Sequence, residues 1–159
     1  MSRPQILPKD IKQECLSLVR GYRRRVTEYH RARQDIIDGA PGRYETVKDA
    51  RTGKYIRVYL PHTQAASRTT EGKAERLAEI EEHPETKCMR AVEQARLQIG
   101  LDLHDDDRRK LAEAIVLNCE DGRKFRYEYL IVPDEIGRTN FYERRMTFLA
   151  DIAKYLKKI

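Results

Sequence analysis

Apolar residues near the start of the chain recur at intervals of three and four: Ile11, Cys15, Leu18, Tyr22, Val26 and Tyr29, continuing towards Ile36. That spacing lays one stripe along a helix predicted over residues 8–38, with Pro8 in its first turn and Gly39 to Gly42 ending it. A helix of about 30 residues is roughly 45 Å long, more than a small core covers. The stripe is therefore expected to pair with another helix or with a second copy, a dimer being favoured. The period then changes. Residues 43–48 and 54–60 are rich in β-branched and aromatic residues, and the second run alternates. With Gly53 in the segment between them, they predict a β-hairpin over residues 44–60. Helical spacing returns at Ala74, Leu77, Ala78 and Ile80, and restarts at Pro84 with Met89, Val92 and Ile99. After Gly100 it begins again at Asp105, with Leu111, Ala114, Ile115 and Leu117, and stops at Gly122. The carboxylates at 105–107 suit a helix N-terminus; they lack the glycine and closing glutamate of a calcium loop.

The pattern is sharpest at the end. Residues 123–131 can form a short helix exposing Arg123, Lys124 and Arg126, and Pro133 and Gly137 then break it. A final helix, capped by Thr139 or Asn140, runs to about Lys158. On it Phe141, Phe148, Leu149, Ile152, Tyr155 and Leu156 share one stripe, and Glu143, Thr147, Ala150 and Lys154 occupy the other flank. Two helices joined by a Gly-containing turn predict a helix-turn-helix over residues 123–159, whose second helix enters the major groove by its first turns. The expected fold is mainly α: a long N-terminal helix with a β-hairpin insertion over residues 1–72, then a helical domain over 73–159 ending in the helix-turn-helix.

Charge supports a polyanionic partner. The chain carries a net +6, distributed as +4, +4, −5 and +3 over residues 1–38, 39–70, 71–120 and 121–159. Two basic ends flank an acidic middle, the kind of segregation a nucleic acid selects. The run Arg23-Arg24-Arg25 fans round a helix and reads as a solvated face rather than a phosphate contact. Three scattered cysteines and four histidines show no metal-ligand spacing, and no cofactor is expected. No apolar run is long enough for a membrane span and no signal-peptide pattern opens the chain, so a cytoplasmic protein is expected.

The candidate DNA contacts are Arg138, Thr139, Asn140, Tyr142, Glu143, Arg144 and Arg145 on the last helix, with Arg123, Lys124 and Arg126 before it. Arg145 falls inside the apolar stripe, where pairing with Asp134 or Glu135 weighs equally with DNA contact. The segment Tyr127-Glu128-Tyr129-Leu130, followed by Gly137-Arg138-Thr139-Asn140-Phe141-Tyr142-Glu143-Arg144-Arg145-Met146-Thr147-Phe148-Leu149, resembles the C-terminal motif of small phage and prophage regulators of the ArpU and RinA type. Their ends are similar to the helix-turn-helix of sigma-factor region 4. The resemblance covers about a quarter of the chain. It implies a sequence-specific activator of phage late or packaging genes that binds double-stranded DNA through residues 138–144 and contacts the host RNA polymerase. The 44–60 hairpin departs from all-helical relatives. Two other classes stand beside it: a DNA-packaging recognition subunit of the small-terminase kind, and an assembly protein that never meets DNA. An enzyme is not expected: Tyr142 beside Arg144 and Arg145 suggests recombinase chemistry, but the chain is too short for that fold.

Overall fold

A computed structural model describes residues 7–39, 43–60 and 70–159. Among them lie six α-helices and one antiparallel hairpin, so the mainly α class holds. The order is α1 (Lys9–Arg20), α2 (Tyr22–Ile37), β1 (Arg43–Lys48), β2 (Tyr55–Leu60), α3 (Thr70–Glu82), α4 (Pro84–Leu97), α5 (Asp105–Glu120) and α6 (Arg138–Tyr155). Contacts divide the chain into two compact units, 1–22 with 90–159, and 23–89. The boundary expected at residue 72 falls inside the second.

The first unit is built from α1, α5, α6 and the end of α4. Cys15, Leu16 and Val19 of α1, Leu111, Ile115 and Cys119 of α5, and Phe141, Phe148, Leu149 and Ile152 of α6 share one core. Each fully buried large apolar side chain contributes about 1.5–3 kcal/mol. Ala112, Ala114, Ala150 and Ala153 are buried beside them and let the helices approach closely. Two expectations for α6 change. Ala150 is buried rather than on the polar flank, and Tyr155 is 44% exposed because α6 ends there. The α1 stripe is also consumed within this unit, since Ile11, Leu18 and Tyr22 pack against the same core. Gly100 ends the α4 region at φ 69°, and a Cβ there would stand 3.2–3.3 Å from Arg108 atoms. The Arg108 guanidinium uses that close approach to cap the carbonyls of Leu97 and Ile99.

The second unit holds α2, the hairpin, α3 and the start of α4. The single helix expected over 8–38 is two, meeting at Gly21, which stays right-handed (φ −87°, ψ −1°) and still donates to the Ser17 carbonyl at 3.0 Å. Arg24 and Arg25 are not a solvated run: Arg24 grips Glu28 at 3.1 Å, and Arg25 donates to Glu85 at 2.7 Å. Tyr29 is buried and its hydroxyl bonds Glu81. The hairpin pairs Lys48 with Tyr55 and Arg43 with Leu60. Gly53 turns it at φ 69°, and its N–H closes the loop on the Asp49 carbonyl at 2.8 Å.

Candidate nucleic-acid interface

The cationic segment after α5 is a folded loop rather than a helix. Only one 3₁₀ turn, Tyr127–Tyr129, stands where a helix over 123–131 was expected. The reason is local. At the end of α5 the Asp121 carboxylate accepts the backbone N–H of Arg123 at 3.1 Å and of Lys124 at 3.2 Å. This is a side-chain turn that competes with helix continuation. Buried Asn118 donates to the Phe125 carbonyl at 2.8 Å, and the Tyr127 hydroxyl donates to the Ile136 carbonyl at 2.7 Å. The Tyr127 ring lies 5.5 Å from Phe141, centroid to centroid. The loop is thus anchored at three points to α5, to α6 and to the turn before α6. Arg123, Lys124 and Arg126 are exposed on it.

Helix α6 begins at Arg138, not at a Thr139 or Asn140 cap. Gly137 occupies the cap position and, among the described residues, no side-chain cap bonds the orphan N–H groups of the first turn. Residues 137–140 are all exposed. Arg138 reaches Glu128 at 3.5 Å and sits 6.0 Å from the Tyr142 ring centroid. Arg126, Glu128, Tyr129, Arg138 and Tyr142 line a cleft of about 500 Å³ at this helix start. The structure therefore brings Arg126, Arg138 and Tyr142 together, with Thr139 and Asn140 on the adjacent turn.

Arg144 and Arg145 are committed differently. Arg144 forks onto Asp102, Nη1 to Oδ1 at 2.9 Å and Nη2 to Oδ2 at 2.7 Å, and its Nε donates to Asn140 Oδ1 at 2.8 Å. The fork holds the Asp102 carboxyl down at about 2, and the carboxylate in turn raises the Arg144 pKa. Arg145 makes no ion pair with Asp134 or Glu135. Its half-buried guanidinium lies beside the buried Cys119 thiol, whose pKa burial raises to about 11 against the opposing pull of Arg145. Arg145 Nε is buried without a hydrogen-bond partner. This Nε thus faces the interior of the unit, while the residue as a whole stays partly exposed. Sequence reasoning missed Asp102 and Glu128 as the partners of Arg144 and Arg138.

No protein-family model, curated protein or solved structure matches the chain.

Past its first turn, the outward face of α6 is mixed in charge. Glu143, Thr147, Asp151 and Lys154 follow Asn140 at helical spacing, and Asp151 is partly buried with a raised pKa, chiefly from desolvation. A groove of about 700 Å³ along α5, floored by Ala114 and Leu117, carries cations as well. Two of these are neutralised on the spot, Arg96 by Glu113 at 3.1 Å and Arg109 by Asp106 at 2.9 Å. Arg123, Lys124 and Arg126 of the loop form no ion pair among the described residues, while Arg138 at the α6 start faces Glu128. Among the described residues no cluster of His, Cys, Asp and Glu has metal-ligand geometry, and no helix is long and apolar enough to cross a membrane.

Proposed function

We propose that the chain is a sequence-specific double-stranded DNA-binding transcription regulator that meets DNA end-on through the start of α6. The observation that carries this reading is the exposed, uncapped first turn of an 18-residue helix beside a loop bearing three exposed cations. Helix N-termini favour phosphate through their orphan N–H groups and dipole, and Arg123, Lys124 and Arg126 add charge that makes binding salt-dependent. Arg138, Asn140 and Glu143 are the residues assigned to base edges, with Thr139 and Tyr142 beside them. Asn140 spends one lone pair on Arg144 and keeps its amide and second lone pair, as reading adenine requires. Arg144 and Arg145 act here as positioning residues. The carboxylates farther along α6 argue against a helix lying flat in the groove and favour contact by its first turn.

Following the resemblance, the proposed targets are phage late or packaging genes in a bacterial cytoplasm, with RNA polymerase as a protein partner. The test is fluorescence anisotropy on duplexes from the gene's own neighbourhood and on scrambled controls, across a salt series. Affinity that falls steeply with salt and favours one native duplex supports the reading. Binding that is absent, or indifferent to both salt and sequence, overturns it.

A further inference from the structure

The hairpin of the second unit carries charge that its own unit leaves unneutralised. Residues 43–60 hold five cations and two carboxylates. Lys48, Arg51, Lys54 and Arg57 are all exposed, and none forms an ion pair among the described residues. Elsewhere in the same unit Arg24, Arg25, Arg33 and Lys87 each face a carboxylate, at distances of 2.7–3.5 Å, while Lys73 donates to the Ile37 carbonyl and Arg31 and Arg76 form no ion pair among the described residues. The hairpin is the place in this unit where four such cations stand together.

The register sorts the strands into two unlike faces. Thr46 opposite Arg57, and Lys48 opposite Tyr55, share one face; all four are exposed, Tyr55 by 72%. Val47 opposite Ile56, and Glu45 opposite Val58, share the other, where Ile56 and Val58 are half-buried. The polar face therefore has no carboxylate along its outer half. At its base the same face turns inward, where buried Tyr59 donates to Asp35 at 2.9 Å. Arg24 also donates to the Arg57 carbonyl at 3.4 Å, fixing the ribbon to α2. Arg51 and Lys54 stand at the tip, which is held by Asp49 and Gly53.

We propose that this hairpin is a second DNA-contacting element, a cationic ribbon that lays its Lys48–Tyr55–Arg57 face and its tip against the phosphates flanking a duplex groove. Six-residue strands are about 20 Å long, and a two-stranded ribbon fits the B-DNA major groove. Duplex DNA fits better than an anionic membrane, because the face that would enter a bilayer carries lysine, arginine and threonine while the aliphatic residues lie on its back. The contacts are phosphate contacts, so they add affinity and salt dependence rather than sequence reading. The proposal takes its ligand from the DNA-binding reading above but none of its residues.

The test is the full chain with Lys48, Arg51, Lys54 and Arg57 all replaced by Ala. Its melting temperature is compared with wild type, and its binding to a random-sequence duplex is followed across a salt series. Each phosphate contact contributes about 0.9 to the slope of log K against log salt. The expected result is a slope lower by about 2–4 at unchanged melting temperature, with the slope restored when the same four positions carry Arg. A slope within about 0.5 of wild type overturns the hairpin, whatever α6 does. A lowered slope together with an inert Arg138→Ala supports the hairpin and sinks the C-terminal reading instead. Wild-type retention by anionic-lipid vesicles, with no duplex binding, overturns both.

Discussion

The Asp102–Arg144 fork should hold the first turns of α6 with a measurable coupling. Its two hydrogen bonds of 2.7 and 2.9 Å link the loop before α5 to the second turn of α6. The guanidinium lowers the Asp102 carboxyl from 3.8 to about 2. That depression would correspond to about 2.4 kcal/mol if fully realised. Asp102 keeps 62% of its side chain in solvent, however, and exposed pairs retain about 1 kcal/mol or less after screening and side-chain ordering. Bidentate geometry puts this pair near the top of that range. A cycle of Asp102→Ala, Arg144→Ala and the double variant, read by urea unfolding at neutral pH, should therefore give about 1 kcal/mol of coupling. The folded carboxyl titrates below its unfolded counterpart, so this stability is complete above pH 3.8 and is lost as pH falls through about 2. The coupling should shrink towards zero over that interval. Coupling below about 0.2 kcal/mol at neutral pH, or coupling that persists unchanged in acid, would refute the reasoning.

Phe148 is fully buried among α1, α5 and α6, and Phe148→Ala should cost about 3–5 kcal/mol; an unshifted thermal melt would mean that α6 faces the other way. Asn140→Ala should weaken the cognate duplex by about 1–3 kcal/mol and spare scrambled DNA, whereas Lys124→Ala should weaken both and lower the salt slope by about 1. Anisotropy on the two duplexes separates these patterns, and equal losses for Asn140→Ala would remove α6 as a reader. Cys15 and Cys119 have thiol pKa values raised to about 11, burial being the main cause, so both should resist alkylation in native protein at mildly alkaline pH by mass spectrometry. The same values predict stability lost as pH rises from 9 towards 11, because the unfolded thiols ionise first. Residues 90–159 made without α1 should lack a cooperative melt by circular dichroism, and a stable fold of that fragment would show that Cys15, Leu16 and Val19 are dispensable.

The helix and hairpin positions were legible because each rests on a local period with a local stop. Pro84 and Gly100 punctuate the α4 region, Gly53 turns the hairpin, and the apolar spacing from Phe141 to Ile152 marks the buried side of α6. What the sequence concealed is set by partners distant along the chain. Nothing near Arg144 points to Asp102, 42 positions away, and nothing near Arg25 points to Glu85, 60 positions away. The helix expected at 123–131 had adequate propensity, but Asp121 and Asn118 bond its backbone into a loop, a competition that periodicity does not register. Of the expected α1 stripe only Cys15 is fully buried; Leu16 and Val19 complete the buried side, and Ile11, Leu18 and Tyr22 stay partly buried. The cover of that side is α5 and α6, at the far end of the sequence.

That last arrangement sets an order of events during synthesis. Helix α1 emerges from the ribosome well before the surfaces that bury Cys15, Leu16 and Val19, which lie on α5 and α6. At about 5–20 residues per second, the α1 stripe waits roughly 7–27 seconds for α6 to be completed. Residues 23–89 form a compact unit of their own and can fold in that interval, which shortens the span α1 must search to find its partners. The nascent chain is therefore most exposed to aggregation through α1 while α6 is still being made. A pause or truncation before residue 138 would leave α1 as the segment a chaperone recognises.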